Sequence, residues 1–304
     1  MTKTGRVIQS TGKWYKVAVN SNIFDCRLPG KFRLEEKKTT NPIAVGDLVD
    51  IEIGKDGTGS IFNIHQRRNY IPRVSTRQKH SEQILVANVD QAWVVQSVRL
   101  PRIKTGFIDR FLVACEAYEI PGGIIFNKMD LANKKDLDQI EYLTELYTNI
   151  GYKVIQTTIL KKSSIENLNK LIAGKLSVFI GQSGVGKSSI INTIDPSMKL
   201  PVGEISKSTQ KGRHTTTFAR LIELSNAGYI IDTPGIREFG VVNIEPTELS
   251  LFFPEMLSPR ENCKFYNCTH SHEPGCGVMK AVEMGDVDAG RYQSYLSILE
   301  ELEK

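Results

Sequence analysis

A glycine-rich stretch, Gly181-Gln182-Ser183-Gly184-Val185-Gly186-Lys187-Ser188-Ser189, constrains the fold more than any other part of the chain. Its first eight residues match G-x-x-x-x-G-K-[ST], a loop whose backbone N–H groups cradle nucleotide phosphates. The apolar run before it, residues 176–180, predicts a buried strand, and residues 189–192 predict a helix. The pattern therefore predicts a nucleotide-binding α/β domain, in which Lys187 neutralises the β- and γ-phosphates and Ser188 binds Mg²⁺.

Length and composition are those of a soluble globular protein. The 304 residues, 40% hydrophobic and 24% charged, suffice for two or three domains. No apolar run approaches the roughly 20 residues that a membrane span needs, and the first residues lack the apolar segment of a secretory signal. We expect a cytoplasmic monomer with no membrane partner.

Positive charge is concentrated in the first third of the chain. Residues 1–104 carry 18 Lys and Arg against 9 Asp and Glu, a balance of +9, whereas the remainder carries −4. Such an imbalance favours a polyanionic partner such as RNA. A solvated lysine-rich surface explains the charge equally well.

The N-terminal region, residues 1–67, has an all-β pattern of five short runs separated by turn signals. Five strands in about 65 residues suit a small closed barrel such as an OB-fold, which often binds oligonucleotides. An SH3-like barrel fits the same pattern. One long connection carries basic side chains that could contact nucleic acid: Lys31, Arg33, Lys37 and Lys38.

A polar, basic connector over residues 67–83 precedes the α/β region. Residues 91–98 are an apolar run typical of a parallel strand buried on both faces. Residues 107–118 have helical spacing, as do 135–150 and 165–172, and 154–158 predict another strand. Cys26 and Cys115 lie in apolar runs, so we interpret both as core residues.

A second motif, Asn127-Lys128-Met129-Asp130, follows a predicted strand. A carboxylate at this place can accept two hydrogen bonds from guanine, whose N1–H and N2–H₂ donors lie side by side; adenine has no such pair. Together with the phosphate loop, the motif predicts GTP as the nucleotide and argues against an enzyme that uses ATP.

Two segments after the phosphate loop complete the predicted site. Residues 207–217 are polar and aperiodic, which suits a switch that orders around γ-phosphate and Mg²⁺. The run Asp232-Thr233-Pro234-Gly235 ends a predicted strand. There Asp232 can hold Mg²⁺ through water, and the Gly235 N–H can meet the γ-phosphate.

Three cysteines and a histidine near the C-terminus have the spacing of a metal site: Cys263, Cys268, His270 and Cys276. Three thiolates and one imidazole predict a closed, tetrahedral and therefore structural zinc site, one Zn²⁺ per chain. His272 is a rival fourth ligand. The helix that begins near Arg291 has an apolar stripe that we interpret as packing.

The order of these motifs is unusual, because Asn127-Lys128-Met129-Asp130 precedes the phosphate loop. In ordinary GTPases it comes last. Since strand adjacency builds the site, a circular permutation of the chain preserves it. The expected organisation is multidomain: an OB-fold-like barrel (1–67), a permuted P-loop GTPase domain (68–240), and a mostly helical zinc-binding domain (241–304).

The whole chain resembles the circularly permuted ribosome small subunit-dependent GTPase A family. The resemblance rests on the barrel, the motif order, the Cys-x4-Cys-x-His-x5-Cys segment and stretches such as residues 212–217 and 237–239. It implies late maturation of the small ribosomal subunit, rRNA contacts through the barrel and zinc domains, and GTP hydrolysis stimulated by that subunit. Thr157-Thr158 stands where GTPases usually have Ser-Ala, which leaves its base contacts open.

Ile236 stands where many GTPases carry a glutamine that orients the attacking water. We expect His214, in the predicted switch, to take over that role, with Thr215 or Thr216 binding Mg²⁺. Alternatively, His214 is an exposed loop residue or an rRNA contact. A different class of function also remains, an RNA-binding assembly factor whose nucleotide site is a passive switch without useful turnover.

Overall fold

The computed structural model describes residues 2–11, 13–20, 22–29, 42–73, 83–200, 220–232 and 244–303. The chain divides into two compact units. The first comprises residues 1–92, 165–183 and 187–239, and the second comprises 93–164, 184–186 and 240–304. None of the helices in these described ranges is both long and apolar enough to cross a membrane.

The first unit begins with five strands that close into a barrel. They are β1 (Thr2–Ser10), β2 (Tyr15–Val19), β3 (Asn22–Arg27), β4 (Leu48–Ile53) and β5 (Gly59–Ile64). Their alternating pattern turns every second side chain inward, and the core contains Val7, Tyr15, Val17, Cys26, Val49, Ile51 and Ile61.

Strand pairing around the barrel identifies its type. The order β1-β2-β3-β5-β4 closes through β1 and β4, and the β3–β5 pair is parallel, with Cys26 opposite Gly59. A Cβ on Gly59 would lie 2.4 Å from the Cys26 Sγ, so the strands approach this closely only because the residue is glycine. The connectivity is that of an OB-fold and not of an SH3-like barrel, which confirms the first of the two sequence alternatives.

The rest of the first unit contains the strand and helix that flank the phosphate loop. Strand β11 (Leu176–Ile180) pairs in parallel with β13 (Tyr229–Asp232), which pairs with the antiparallel β12 (Arg220–Glu223). Strand β12 also meets β1 of the barrel at Gln9 and Arg220. Helix α3 (Lys162–Ile172) precedes β11 in the chain, and helix α4 (Lys187–Ile194) follows the phosphate loop.

A pair of two short strands begins in the predicted polar connector and ends just beyond it. Strand β6 (Tyr70–Arg73) pairs antiparallel with β7 (Gln83–Ala87), and the register shifts between Ile71 and Pro72. Sequence reasoning missed β6 because a proline and basic residues interrupt its apolar pattern. Proline fits here because the pairing register is irregular at this position.

The second unit contains three strands, which neighbour one another in the sheet in the reverse of their chain order. Strand β8 (Gln91–Ser97), which begins at the boundary with the first unit, is buried throughout. Strands β9 (Gly122–Asn127) and β10 (Lys153–Gln156) pair in parallel. Helices α1 (Thr105–Ala117) and α2 (Lys134–Ile150) connect them, and the side chains of Asn133 and Asp136 form a capping box at the start of α2.

The C-terminal part of the second unit is mostly helical, as the sequence predicts. Two 3₁₀ segments, Pro246–Phe252 and Pro254–Met256, precede α5 (Leu257–Arg260), α6 (Gly277–Met284) and α7 (Ala289–Leu302). The apolar side of α7 packs as expected, with Tyr295, Ile298 and Leu299 buried beside Phe253. Cys26 and Cys115 are fully buried core residues, which confirms their interpretation.

Candidate nucleotide and metal sites

Both ends of the phosphate loop belong to the first unit. Residues 181–183 follow β11, and Lys187 and Ser188 begin α4. Gly181 has φ +159°, a conformation that suits glycine. The Lys187 ammonium donates to the carbonyl oxygens of Gly181 and Gln182 at 2.6 and 2.9 Å. Ser188, in the first turn of α4, is buried. The positive end of the helix, the lysine and the hydroxyl are therefore placed together, as phosphate and Mg²⁺ binding require.

The middle of the loop, Gly184–Gly186, belongs to the second unit, where it contacts the motif Asn127-Lys128-Met129-Asp130. The buried Asn127 side chain donates through Nδ2 to the Val185 carbonyl at 2.9 Å and accepts from the Thr157 hydroxyl at 3.0 Å. Gly186 has φ +98°, and a Cβ there would lie 2.3 Å from the Asn127 Nδ2. Asn127 therefore joins the phosphate loop to the loop after β10, and Gly186 provides the space.

Asp130 lies on the surface at the end of the same motif. Its carboxylate accepts a hydrogen bond from the Thr158 hydroxyl, and that hydroxyl also accepts from the Leu160 N–H at 3.2 Å. The Thr158 N–H donates to Ser164 Oγ at 3.1 Å. The two threonines thus lie beside Asn127 and Asp130. They occupy the position at which GTPases usually have Ser-Ala.

Lys128 holds the loop that follows β8. It has φ +62°, and its ammonium donates to the Leu100 carbonyl at 3.0 Å. Leu100 itself has φ +54° and is largely exposed. Met129 continues the motif in a 3₁₀ turn, and its N–H donates to the Thr157 carbonyl at 3.2 Å. The motif is therefore hydrogen-bonded both to the loop after β8 and to the loop after β10.

Several predicted site residues lie outside the described part of the chain. They are His214, Thr215, Thr216, Gly235 and Ile236. For Asp232 the structure describes the backbone, which ends β13 as predicted. The roles of these residues remain sequence-based predictions.

The predicted metal ligands converge in the second unit. Ligand atoms of Cys263, Cys268, His270 and Cys276 all lie within 4.8 Å of one another, an arrangement that could hold a metal ion. The His270 Nδ1 lies 3.5 Å from the Cys263 Sγ and 3.4 Å from the Cys276 Sγ, and these two sulfurs are 3.9 Å apart. His272, the rival ligand, is exposed and bonds to Ser271 instead.

The protein environment orients these ligands. Backbone N–H groups of Gly277 and Met279 point at the sulfurs of Cys263 and Cys276, at 3.3 and 3.4 Å. Burial raises the pKa of the Cys268 thiol to about 12, and burial lowers the pKa of His270. The cluster therefore disfavours thiolate charge by itself, and a bound cation would supply the compensating positive charge.

Two family models cover most of the chain. The RsgA GTPase model matches residues 64–242, and the RsgA N-terminal domain model matches residues 4–61. The chain belongs to the RsgA GTPase family. It is a GTP hydrolase with an N-terminal five-stranded barrel, a GTPase domain and a helical C-terminal region that carries the Cys₃His cluster.

Curated relatives match almost the full length. The small ribosomal subunit biogenesis GTPase RsgA of Flavobacterium johnsoniae is 45% identical over 301 residues, which are 98% of this chain and 93% of that protein. The small ribosomal subunit biogenesis GTPase RsgA 2 of Bacteroides thetaiotaomicron is 44% identical, over 99% of this chain and 97% of its own.

Two solved structures share the fold of this RsgA-family chain. YjeQ from Thermotoga maritima is 36% identical with a TM-score of 0.82, and the match covers 99% of both chains. YloQ, described as a circularly permuted GTPase, is 32% identical with a TM-score of 0.78, over 100% of this chain and 96% of its own.

Sequence reasoning missed one polar cluster in this RsgA-family protein. Arg291 of α7 is 1% exposed, and its guanidinium donates to Asp109 of α1 at 2.9 Å. It also forms a fork with Glu255, at 2.7 and 3.1 Å. The Tyr147 and Ser294 hydroxyls donate to the two oxygens of Asp109. Burial lowers the pKa of Arg291, but the two carboxylates outweigh burial and the net shift is upward.

Proposed function

We propose that this chain hydrolyses GTP during late maturation of the small ribosomal subunit, with turnover stimulated by that subunit. The assignment of GTP as the nucleotide rests on the hydrogen bonds of the Asn127 side chain. These bonds connect the phosphate loop to Thr157, which lies beside Asp130. The target of the activity follows from full-length similarity to proteins described as small ribosomal subunit biogenesis GTPases. We retain residues 1–67, 68–240 and 241–304 as the functional division.

The phosphates would lie over residues 181–189, where backbone N–H groups converge at the start of α4. Lys187 would exchange its bonds to the loop carbonyls for the β- and γ-phosphate oxygens. Ser188 would bind Mg²⁺, which neutralises charge on those oxygens. Asp232 would hold that ion through water, and the Gly235 N–H would meet the γ-phosphate.

The base would lie against Asp130, Lys128 and the loop that contains Thr157 and Thr158. Two acceptor oxygens on Asp130 match the two adjacent donors of guanine. The Thr158 hydroxyl bonded to Asp130 orients the carboxylate in the protein itself. Binding of guanine therefore requires little rearrangement of the described residues.

The decisive experiment measures GTP turnover by the full chain with and without purified small ribosomal subunits. We expect slow release of phosphate from the chain alone and a large increase with subunits. Lys187→Ala is the control, because it removes the phosphate-binding ammonium. If subunits bind but leave turnover unchanged, the passive-switch alternative is correct. If ATP is hydrolysed as well as GTP, the base assignment is wrong.

The N-terminal barrel would contact rRNA. Its fold suits oligonucleotide binding, and residues 1–104 have a charge balance of +9. On the barrel, the Arg27 guanidinium lies 3.8 Å from the centre of the Trp14 ring. A cation next to an aromatic ring is a suitable surface for both phosphate and base.

The metal would be zinc, one per chain and structural. An ideal tetrahedron with Zn–S bonds of about 2.3 Å has S···S edges of about 3.8 Å. The Cys263–Cys276 separation of 3.9 Å agrees, and both nitrogen–sulfur distances are within a few tenths of an ångström of what shorter Zn–N bonds give. With four protein ligands, no position remains for a reacting molecule.

Replacing Cys268 with Ser should release the zinc and destabilise the C-terminal helices, because metal binding contributes directly to folding of such sites. Nucleotide affinity should change little. The measurement is zinc content by mass spectrometry, together with hydrogen exchange of residues 257–303. His272→Ala is the matched control and should retain zinc, since its ring lies outside the cluster. Purified protein that contains no zinc would contradict the assignment.

Replacing His214 with Ala should remove most of the subunit-stimulated turnover, about 10²-fold or more, while GTP affinity and subunit binding stay near normal. The physical reason is that Ile236 cannot hydrogen-bond the attacking water, whereas an imidazole can. Single-turnover phosphate release with small subunits is the measurement. Full stimulation of the variant would show that another group positions the water.

A further inference from the structure

An open groove of about 610 Å³ lies along one side of helix α2, in the second unit. Seven of its eight lining residues come from successive turns of α2, and the eighth is Gln156 at the end of β10. The Gln156 side chain donates through Nε2 to the Thr144 hydroxyl at 3.4 Å, so the groove runs where the helix meets the strand. None of the residues assigned above to nucleotide or metal binding lines this groove.

The groove is acidic. Glu141 and Glu145 line it one helical turn apart, both are exposed, and none of the eight lining residues is Lys or Arg. Neither carboxylate forms an ion pair within the described part of the chain. Lys134 and Lys135 begin α2, but from Asp138 to its end the helix carries three acids and no base. Such a surface, on a chain whose net charge is +5, repels RNA and favours a cationic partner.

Strand β10 borders the same groove and has an open edge. Within the described residues it pairs with β9 alone. The Thr157 N–H, just beyond β10, donates to the Phe126 carbonyl of β9, so by alternation the N–H and C=O groups of Val154 and Gln156 point away from β9. An edge strand of this kind presents backbone donors and acceptors to which an extended peptide can add.

The two faces of β10 differ in charge. Side chains along a strand alternate between its faces, and Gln156 lies on the α2 face, as its bond to Thr144 shows. Lys153, three positions earlier and the only lysine of β10, therefore lies on the opposite face. A peptide strand added to β10 would likewise turn every second side chain toward α2 and its two groove carboxylates. The groove thus selects a peptide with basic side chains at alternate positions.

We propose that the edge of β10 and the acidic groove of α2 bind an extended, Lys- or Arg-rich segment of a small-subunit protein, which adds to the sheet as a further strand. Its backbone would pair with Val154 and Gln156, and alternate basic side chains would reach Glu141 and Glu145. Backbone pairing supplies affinity, and the carboxylates supply the selection for positive charge. The source of the segment rests on the proposed function, whereas the preference for a basic strand follows from the groove itself.

The first test measures binding of the full chain to a fluorescent octapeptide of alternating Lys and Val by anisotropy. Glu141→Gln combined with Glu145→Gln should weaken binding about tenfold, because two attractive charges are lost. Glu248→Gln combined with Glu283→Gln is the matched control, since it removes the same charge from exposed positions elsewhere in the second unit, and it should bind normally. An octapeptide of alternating Glu and Val should not bind. Equal binding by the groove variant and the control would overturn the inference.

Strand addition has a signature that charge attraction alone lacks. The backbone N–H groups of a strand point alternately to its two edges, so N-methylation of every second residue blocks one edge and leaves the charge unchanged. Of two octapeptides, one methylated at every Lys and one at every Val, one should lose binding at least about tenfold and the other should bind like the parent peptide. Equal effects of the two methylations would show that no strand is added to β10.

Replacing Thr148, which lines the groove, with the photo-reactive p-benzoylphenylalanine tests the source of the segment. In the complex with small subunits and a non-hydrolysable GTP analogue, light should crosslink this position to a Lys- or Arg-rich segment of a subunit protein. A crosslink to RNA, or to no subunit component, would overturn the inference. The peptide titrations need no subunit, and basal GTP turnover of the groove variants should equal that of the unmodified chain. Failure here is therefore distinguishable from failure of the proposed GTPase function.

Discussion

Replacing Asp130 with Asn should weaken GTP binding by about 10⁴-fold and allow xanthosine triphosphate to bind instead. A site built to hydrogen-bond one base rejects another mainly because its own polar groups are left unpaired. Guanine presents two donors to the carboxylate, whereas xanthine has a carbonyl in place of the amino group, which the amide of asparagine can meet.

The surroundings of Asp130 allow this substitution without disturbing neighbouring contacts. The side chain is exposed, and its bond from the Thr158 hydroxyl can be kept by the amide oxygen of asparagine. Asn127, which connects to the phosphate loop, is untouched. The change therefore acts on base recognition and leaves the fold alone.

The measurement is competition by GTP, ATP and xanthosine triphosphate against a fluorescent nucleotide. Asp138→Asn is the matched control, because it makes the same change on an exposed position of α2. Equal competition by ATP and GTP in the unmodified chain would refute guanine recognition. Retention of GTP preference by Asp130→Asn would place recognition elsewhere in the site.

The nucleotide motifs could be predicted because each is local. Strand–loop–helix patterns around Gly181 and Asn127 lie within short windows, and the chemistry that they serve dictates the residue types. The barrel was likewise predictable from the alternation of apolar and polar residues. The choice between an OB-fold and an SH3-like barrel was not. The parallel pairing of β3 with β5 joins residues more than 30 positions apart, which no local pattern encodes.

The positions and hydrogen bonds of Thr157 and Thr158 required three-dimensional information. The sequence predicted a strand through both, yet β10 ends at Gln156 and the two threonines turn toward Asn127 and Asp130. Their hydroxyls bond to side chains about 30 residues earlier in the chain. A motif search for Ser-Ala misses this, because the shared property is the bonding arrangement and not the residue names.

The Arg291 cluster was the least predictable feature, since its partners lie 36 and 182 residues away. On the sequence, Arg291 begins a helix whose apolar stripe suggested only packing. The structure shows that this helix also carries a buried cation between two carboxylates.

Replacing Arg291 with Met should destabilise the second unit by about 3–5 kcal/mol, because Asp109 and Glu255 would remain buried without a counter-charge. Methionine fills much of the space that the arginine occupies beside Phe253 and Tyr147. The loss of stability therefore reports the missing positive charge more than the missing volume. Arg110→Ala is the matched control: its forked pair with Glu301 is partly exposed, and exposed pairs contribute about 0–1 kcal/mol.

Urea unfolding followed by the fluorescence of Trp93 measures this effect. Trp93 is buried in the second unit, and Trp14→Phe removes the only other tryptophan. A deficit no larger than that of Arg110→Ala would show that the buried cation does not hold α7 against α1.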